Sequence, residues 1–375
     1  MRFEPPVPAE PLAAIRQVLA AADALAVDAP ILQPLNLLLD LAGEAMRARL
    51  FVVQAEGGAE ACLRPDFTVA VARQHIDGGA AAGRYFYEGP AFRSAPEGER
   101  PEEFVQLGVE LFAPAASLTV EADVEIASLA WRAAAAGGRD DLTLWLGDVG
   151  LFSAFIESLG LPEALAARLR RVAGRPRLLN AELARAGEVA PAPVGGQLAA
   201  MLSSLPEAEA AVMLEEVWAL AGVEPVGGRG PVEIAARLVH RSAAAQGPAL
   251  TSAQAAAIRA FMAISEAPAS GLAKVRTLTS KAPAFEAALA DWTQRLAGLA
   301  EIPAERMRFS PALGHAFDYY DGLTFEVRSA ALGADRPVAS GGRYDGLLAR
   351  LGGAANARAV GCVVRPWRAF AGGEA

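Results

Sequence analysis

The chain has 375 residues, 53% of them hydrophobic, with 43 acidic against 34 basic side chains and a formal charge of −9. That balance argues against a nucleic-acid surface, which needs clustered Lys and Arg to neutralise phosphates. Apolar windows are broken by Pro, Gly or charge before they reach bilayer length, and Met1-Arg-Phe-Glu-Pro-Pro lacks the apolar segment of a signal peptide. A cytoplasmic chain without membrane contact is expected. Cys62 and Cys362 stand far apart with no Cys/His cluster nearby, so reduced thiols, no metal and no cofactor are expected. The basic residues are almost all arginine, because only Lys274 and Lys281 occur.

In chain order, Leu12, Ile15, Leu19 and Ala22 recur at helical spacing over 10–26, with Pro11 suited to a first turn. Asp28–Pro34 reads as extended, 35–48 as helix and Leu50–Gln54 as a strand. After the Gly57-Gly58 turn, Ala59–Arg64 reads as its hairpin partner. A helix then runs to about His75. Asp66 and Thr68 stand at its start, where either a helix cap or a ligand contact is open. Arg84–Arg93 and Glu103–Phe112 form a strand pair. In the second strand Phe104, Gln106, Gly108 and Glu110 share one face, and Val105, Leu107, Val109 and Leu111 the other. Two readings fit: a half-solvated antiparallel strand, or a polar face that Gly108 opens to a ligand.

Residues 119–136 read as an amphipathic helix with Glu121, Asp123 and Glu125 suited to its dipole. A strand at 142–147 and a helix at 149–159 capped by Asp148 follow. From 162 to 306 the pattern is helical throughout, an all-helical insertion in which Trp218, His240 and Trp292 read as packing residues. Strands return at Met307–Ser310 and Phe317–Val327, with Asp321-Gly322 as turn chemistry. Pro337–Gly346, a helix at 347–351 and a last strand at Ala359–Val364 complete the chain. The outline is α+β: a mostly antiparallel sheet flanked by helices, with a core of 1–161 and 307–375 split by the 162–306 insertion. Asp66, Thr68, Gln106, Glu110, Tyr319, Tyr320 and Arg343 are the polar groups that could gather into a pocket. Its chemistry suits a cationic amino acid better than an anion.

Five segments in order carry a resemblance: Leu63-Arg-Pro-Asp-Phe-Thr68, Tyr87-Glu-Gly-Pro-Ala-Phe-Arg93, Phe104-Val-Gln-Leu-Gly-Val-Glu110, Asp318-Tyr-Tyr320 and Ser340-Gly-Gly-Arg-Tyr-Asp-Gly-Leu347. Together they resemble the histidyl-tRNA synthetase catalytic core, over about 27–160 and 307–370. The resemblance implies the class II aminoacyl-tRNA synthetase fold, a dimer interface around Asp28–Pro34, and a histidine pocket lined by Asp66, Thr68, Gln106, Glu110, Tyr319 and Tyr320. The departures from that family bear on activity. Ala95 stands where it has an acidic residue that helps place ATP, leaving Arg93 as a vestigial phosphate contact. His315 stands where it has a catalytic arginine, and a neutral imidazole lacks the charged fork. Arg365-Pro-Trp-Arg368 replaces Gly-Leu-Glu-Arg, and no anticodon-binding domain is seen.

This combination is similar to the regulatory-subunit family of ATP phosphoribosyltransferase. It implies a non-catalytic chain that partners a short-form catalytic subunit in the first step of histidine biosynthesis. L-histidine would be its ligand and a homodimer within a hetero-oligomer its assembly. The alternative is a histidine-activating enzyme, either a degenerate synthetase or an amino-acid ligase. Arg343 could equally hold a carboxylate of the fold, such as Asp345 or Asp318, and His75 reads as structural or solvated.

Overall fold

The structure, a computed structural model, describes residues 2–42, 44–54, 58, 60–95, 100–173, 176–187, 201, 205–221, 250–278, 282–313 and 319–373. His240, His315 and Asp318 lie outside the described residues. The chain divides into two compact units, Met1–Ser158 with Ala260–Ala375, and Leu159–Arg259.

The strands in chain order are β1 (Leu25–Ala26), β2 (Leu32–Pro34), β3 (Val52–Gln54), β4 (Glu60–Leu63), β5 (Gly83–Phe92), β6 (Glu103–Pro114), β7 (Leu142–Asp148), β8 (Met307–Phe309), β9 (Leu323–Ser329), β10 (Ala339–Arg343) and β11 (Ala357–Val364). Eight of them form one sheet in the order β1-β5-β6-β11-β10-β9-β7-β8, and β2-β4-β3 form a small second sheet. Only the outer pairs β1–β5 and β7–β8 of the large sheet are parallel.

Helices α1 (Ala9–Ala20), α2 (Leu35–Ala42), α3 (Thr68–Asp77), α4 (Val120–Ala135) and α5 (Val149–Ser158) belong to the first unit. Ile15 and Leu19, one helical turn apart on α1, are fully buried. α1 packs on β6, and α4 on β9, β10 and β11. The half-solvated reading of β6 fails. Leu107 and Val109 are fully buried on one side, yet Gln106 and Glu110 on the other are only 2% and 1% exposed.

The second unit holds α6 (Glu163–Val172), α7 (Pro176–Ala184), α8 (Glu207–Ala221) and the start of α9 (Ser252–Met262). Its described residues are all helix or loop, and Trp218 packs on a buried Ala210, Ala211 and Leu214 cluster. The helical texture runs to 306, but this unit ends at Arg259. α10 (Pro268–Thr277) and α11 (Pro283–Gly298) belong to the first unit, as do α12 (Gly346–Arg350) and α13 (Pro366–Ala369). Helical periodicity identifies a helix; it does not say which core the apolar stripe meets.

α11 is tied in by charge. Its Trp292 indole donates to Asp148 Oδ2 at 2.8 Å, and Arg295 bridges Asp148 at 3.2 Å and Asp123 at 2.8 Å. Asp123 also takes Arg343 at 2.6 Å. The dipole role suggested for Asp123 is therefore secondary: it is a fully buried carboxylate between two guanidiniums. Arg343 also reaches Asp345 at 3.3 Å, which gives it a structural role. Asp148 caps α5 through the Leu151 N–H at 3.0 Å. Among the described residues no strand immediately precedes Asp321; its carboxylate accepts the N–H groups of Asp345 and Gly346 at 2.9 and 2.7 Å, tying it to the start of α12.

Candidate functional site

A cleft of about 610 Å³ opens on the Gln106–Glu110 face of the large sheet. Its walls include Asp66, Thr68, Arg93, Gln106, Glu110, Tyr319 and Tyr320, so the structure gathers the sequence-derived site into one place except for Arg343, which is held by Asp123 and Asp345.

Glu110 is the centre. Thr68 Oγ1 donates to Glu110 Oε1 at 2.7 Å, Tyr87 OH to the same oxygen at 3.4 Å, and Tyr344 OH to Oε2. Thr68 therefore does not cap α3: the cap position is Phe67, with no side-chain bond, and the Thr68 hydroxyl serves Glu110 instead. Burial pushes the Glu110 carboxyl up to about 7, against the hydrogen bonds from Tyr344 and Thr68. Asp66 accepts Tyr319 OH at 3.5 Å through Oδ2. Burial raises its carboxyl too, and neighbouring Arg93 pulls it back.

Among the described residues two buried acceptors in the cleft, Asp66 Oδ1 and Gln106 Oε1, make no hydrogen bond, although the backbone N–H groups of Val69 and Thr68 also hold the Asp66 carboxyl down. Such atoms are rare in folded proteins and each leaves about 1–3 kcal/mol of desolvation uncompensated. Glu326 at the wall is paired with Arg328 at 2.6 Å, which leaves the Asp66 and Glu110 carboxyls facing the guanidinium of Arg93, itself a donor to Pro65 O at 2.9 Å. The arrangement favours a ligand with several N–H donors and positive charge.

Gly108 plays a different part from the one the alternation suggests. The space a Cβ would take there is filled by the Tyr87 hydroxyl and the Cys362 carbonyl, so the glycine admits a tyrosine rather than a ligand. Tyr87 stands opposite Gly108 across β5–β6, its ring stacked on Phe67 at 4.4 Å. Gly361 opposes Glu110 across β6–β11, and a Cβ there would collide with Glu110 Oε2. The sequence reading also left out Tyr87, Glu326, Cys362 and Tyr344. Tyr87 and Tyr344 lie within the segments that carried the resemblance, which is the signal that could have found them. Burial pushes the Cys362 thiol up to about 12, so it is an unreactive wall.

Further along β6 the Phe104 ring is covered by the chain itself. The Arg365 guanidinium lies over the Phe104 ring, 3.5 Å from its centroid, and its Nη2 donates to Glu4 Oε1 at 2.5 Å. Ala95 brings no carboxylate; its carbonyl accepts Arg2 Nη2 at 2.5 Å. His75 is structural, 4% exposed, stacked on Phe112 at 4.8 Å with Nδ1 2.9 Å from Tyr85 OH. Among the described residues no group of His, Cys, Asp and Glu could hold a metal ion, and no helix is long and apolar enough to cross a membrane.

The histidyl-tRNA synthetase family model matches residues 16–226 and 234–366. The ATP phosphoribosyltransferase regulatory subunit of Mesorhizobium japonicum is 36% identical over 90% of both chains, and that of Brucella canis 34% identical over 90% of both. A Bacillus halodurans structure described as an ATP phosphoribosyltransferase regulatory subunit/histidyl-tRNA synthetase superposes with a TM-score of 0.65 at 20% identity, covering 97% of this chain and 78% of the other. Histidyl-tRNA synthetase from Nostoc gives 0.59 at 16% identity, covering 96% and 69%. These two likenesses show the fold, a class II synthetase-like sheet with helices. The chain belongs to the ATP phosphoribosyltransferase regulatory subunit family, within the wider histidyl-tRNA synthetase-like group.

Proposed function

We propose that the chain is a non-catalytic regulatory subunit that works with a short ATP phosphoribosyltransferase catalytic subunit in the first step of histidine biosynthesis, with L-histidine as the ligand of its cleft. The observation that carries the ligand is the pair of buried acceptors, Asp66 Oδ1 and Gln106 Oε1, that make no hydrogen bond among the described residues, beside Glu110. Histidine offers an ammonium with three N–H donors and an imidazole N–H, which match those acceptors and the Asp66 and Glu110 carboxyls. Feedback would follow if histidine favours one state of the complex by a coupling of about 1–3 kcal/mol.

The non-catalytic reading rests on Arg365 covering the Phe104 ring and on Ala95 at the position where the synthetases place an acid. A homodimer is supported by the small sheet. Its register sets Leu32, Pro34, Val53, Ala61 and Leu63 on one face, with Leu32 54% exposed. A second copy would cover that face. The chain's net negative charge supports a role away from nucleic acid, and its two free, buried thiols fit a reducing cytoplasm.

The test is co-purification with a short catalytic subunit, assayed for phosphoribosyl transfer with and without histidine, beside calorimetry of histidine binding. Activation of the partner and saturable histidine binding are expected. Histidine-dependent ATP–pyrophosphate exchange by the chain alone would move the assignment to a histidine-activating enzyme. Absence of histidine binding would remove the ligand.

A further inference from the structure

We infer that Arg64 is a positioning residue of the cleft, setting Glu110 for its ligand through a column of stacked side chains, Arg64, Phe67 and Tyr87. This role rests on histidine being the ligand of the cleft. It extends that reading inward, since Arg64 and Phe67 are not among the residues of the cleft wall.

The column is continuous. The Arg64 guanidinium lies over the Phe67 ring, 3.8 Å from its centroid. The Phe67 and Tyr87 rings stack at 4.4 Å and stand 6° from parallel. Tyr87 OH then donates to Glu110 Oε1 at 3.4 Å. All four side chains are buried, Arg64 with 3% exposure. Two glycines of the strand pair make room for them. A Cβ on Gly89 would stand 2.8 Å from Arg64 Nη2 and 3.1 Å from Phe67 Cζ, and one on Gly108 would meet the Tyr87 hydroxyl.

The head of the column is bolted on all sides. Arg64 spends its fork on backbone rather than on a carboxylate: Nε donates to Pro90 O at 2.9 Å and Nη1 to Ala29 O. Its own N–H donates to Ile31 O at 2.8 Å, and its carbonyl accepts the Phe92 N–H at 3.0 Å. Burial lowers the Arg64 pKa, and Asp28 pulls it back. A buried guanidinium is a costly filler, and an apolar side chain would occupy the same volume with less desolvation. What the guanidinium adds is direction. Two carbonyls fix its plane, and its plane sets the rings stacked beneath it. The Tyr87 hydroxyl is left one position, over Gly108, and holds one oxygen of the Glu110 carboxyl there. Lysine carries the charge without the plane.

The test is calorimetry of histidine binding to the full chain and to Arg64→Lys, Tyr87→Phe and the double variant, with urea unfolding of each. Tyr87→Phe keeps the stacked ring and removes the hydroxyl that reaches Glu110. Arg64→Lys is expected to weaken histidine about tenfold when Tyr87 is present and less than about twofold when it is Phe, because the path is then already cut. An arginine that only supports the fold would lower the unfolding midpoint and cost the same affinity in both backgrounds. Equal losses in the two backgrounds, or undiminished binding by Arg64→Lys, would overturn the inference. Gly89→Ala sets a methyl against the fork without changing a member of the column, and should show the same dependence on Tyr87; it carries the test if Arg64→Lys does not fold. Failure of the histidine reading shows separately, as absence of binding by the unmodified chain, and takes this role with it.

Discussion

Glu110→Gln should move stability and binding in opposite directions. Glu110 holds its proton to about pH 7, against 4.5 for an ordinary glutamate. At 1.36 kcal/mol per pKa unit, keeping it ionised above pH 7 costs the ligand-free fold about 3 kcal/mol. Because the folded carboxyl binds its proton more tightly than the unfolded one, its contribution is fully present below about pH 4.5 and is lost as pH rises through 7. Glutamine does not ionise, so the stability of the variant relative to wild type should rise by about 2–3 kcal/mol between pH 5 and pH 8. The constant part of the difference depends on how the amide satisfies Thr68, Tyr87 and Tyr344; the pH dependence does not. Histidine affinity at pH 8 should fall by a charge-assisted hydrogen bond, about 1.5–3 kcal/mol, or roughly 10–160-fold. Urea unfolding at both pH values and calorimetry at pH 8 read the two effects. A stability difference equal at pH 5 and pH 8 would refute the buried-carboxyl argument, and unchanged affinity would refute the ligand geometry.

Three further outcomes are expected. Gly361→Ala sets a methyl against Glu110 Oε2 and should cost about 1–3 kcal/mol in urea unfolding while abolishing histidine binding; full affinity would show that Glu110 need not lie over bare backbone. Asp123→Asn leaves Arg295 and Arg343 without their shared buried partner and should cost about 3–5 kcal/mol, and a loss under 1 kcal/mol would show the network to be dispensable. Leu32→Glu places a charge on the exposed face of the small sheet and should halve the mass seen by sedimentation without lowering the unfolding midpoint. An unchanged mass would remove that face from the dimer.

The strand segments and the gathering of Asp66, Thr68, Gln106, Glu110 and the tyrosines were legible because alternation and motif segments are local records of a face. What the sequence hid was pairing. Gly108 looked like an opening for a ligand, yet its neighbour across β5–β6 is Tyr87, whose ring takes the space. Thr68 looked equally like a cap, and only the approach of Glu110 from β6 decides its role. Asp123 sits where a dipole carboxylate belongs, so nothing local announces two arginines arriving from 172 and 220 residues away. The helices at 268–298 share their texture with those before 259, and only their burial partners separate them.

The site's hydrogen bonds also set a timetable for its assembly. Tyr344 and Glu110 meet across 234 positions of sequence, and β11, the neighbour of β6, comes later still. At about 5–20 residues per second of synthesis, β6 waits some 10–50 s for that partner. For that time its inner edge presents unpaired backbone groups, and its buried carboxylate has neither Tyr344 nor the floor of Gly361. The nascent chain is therefore most vulnerable to wrong pairing just before its last strand emerges, and ligand can help only after that strand has docked.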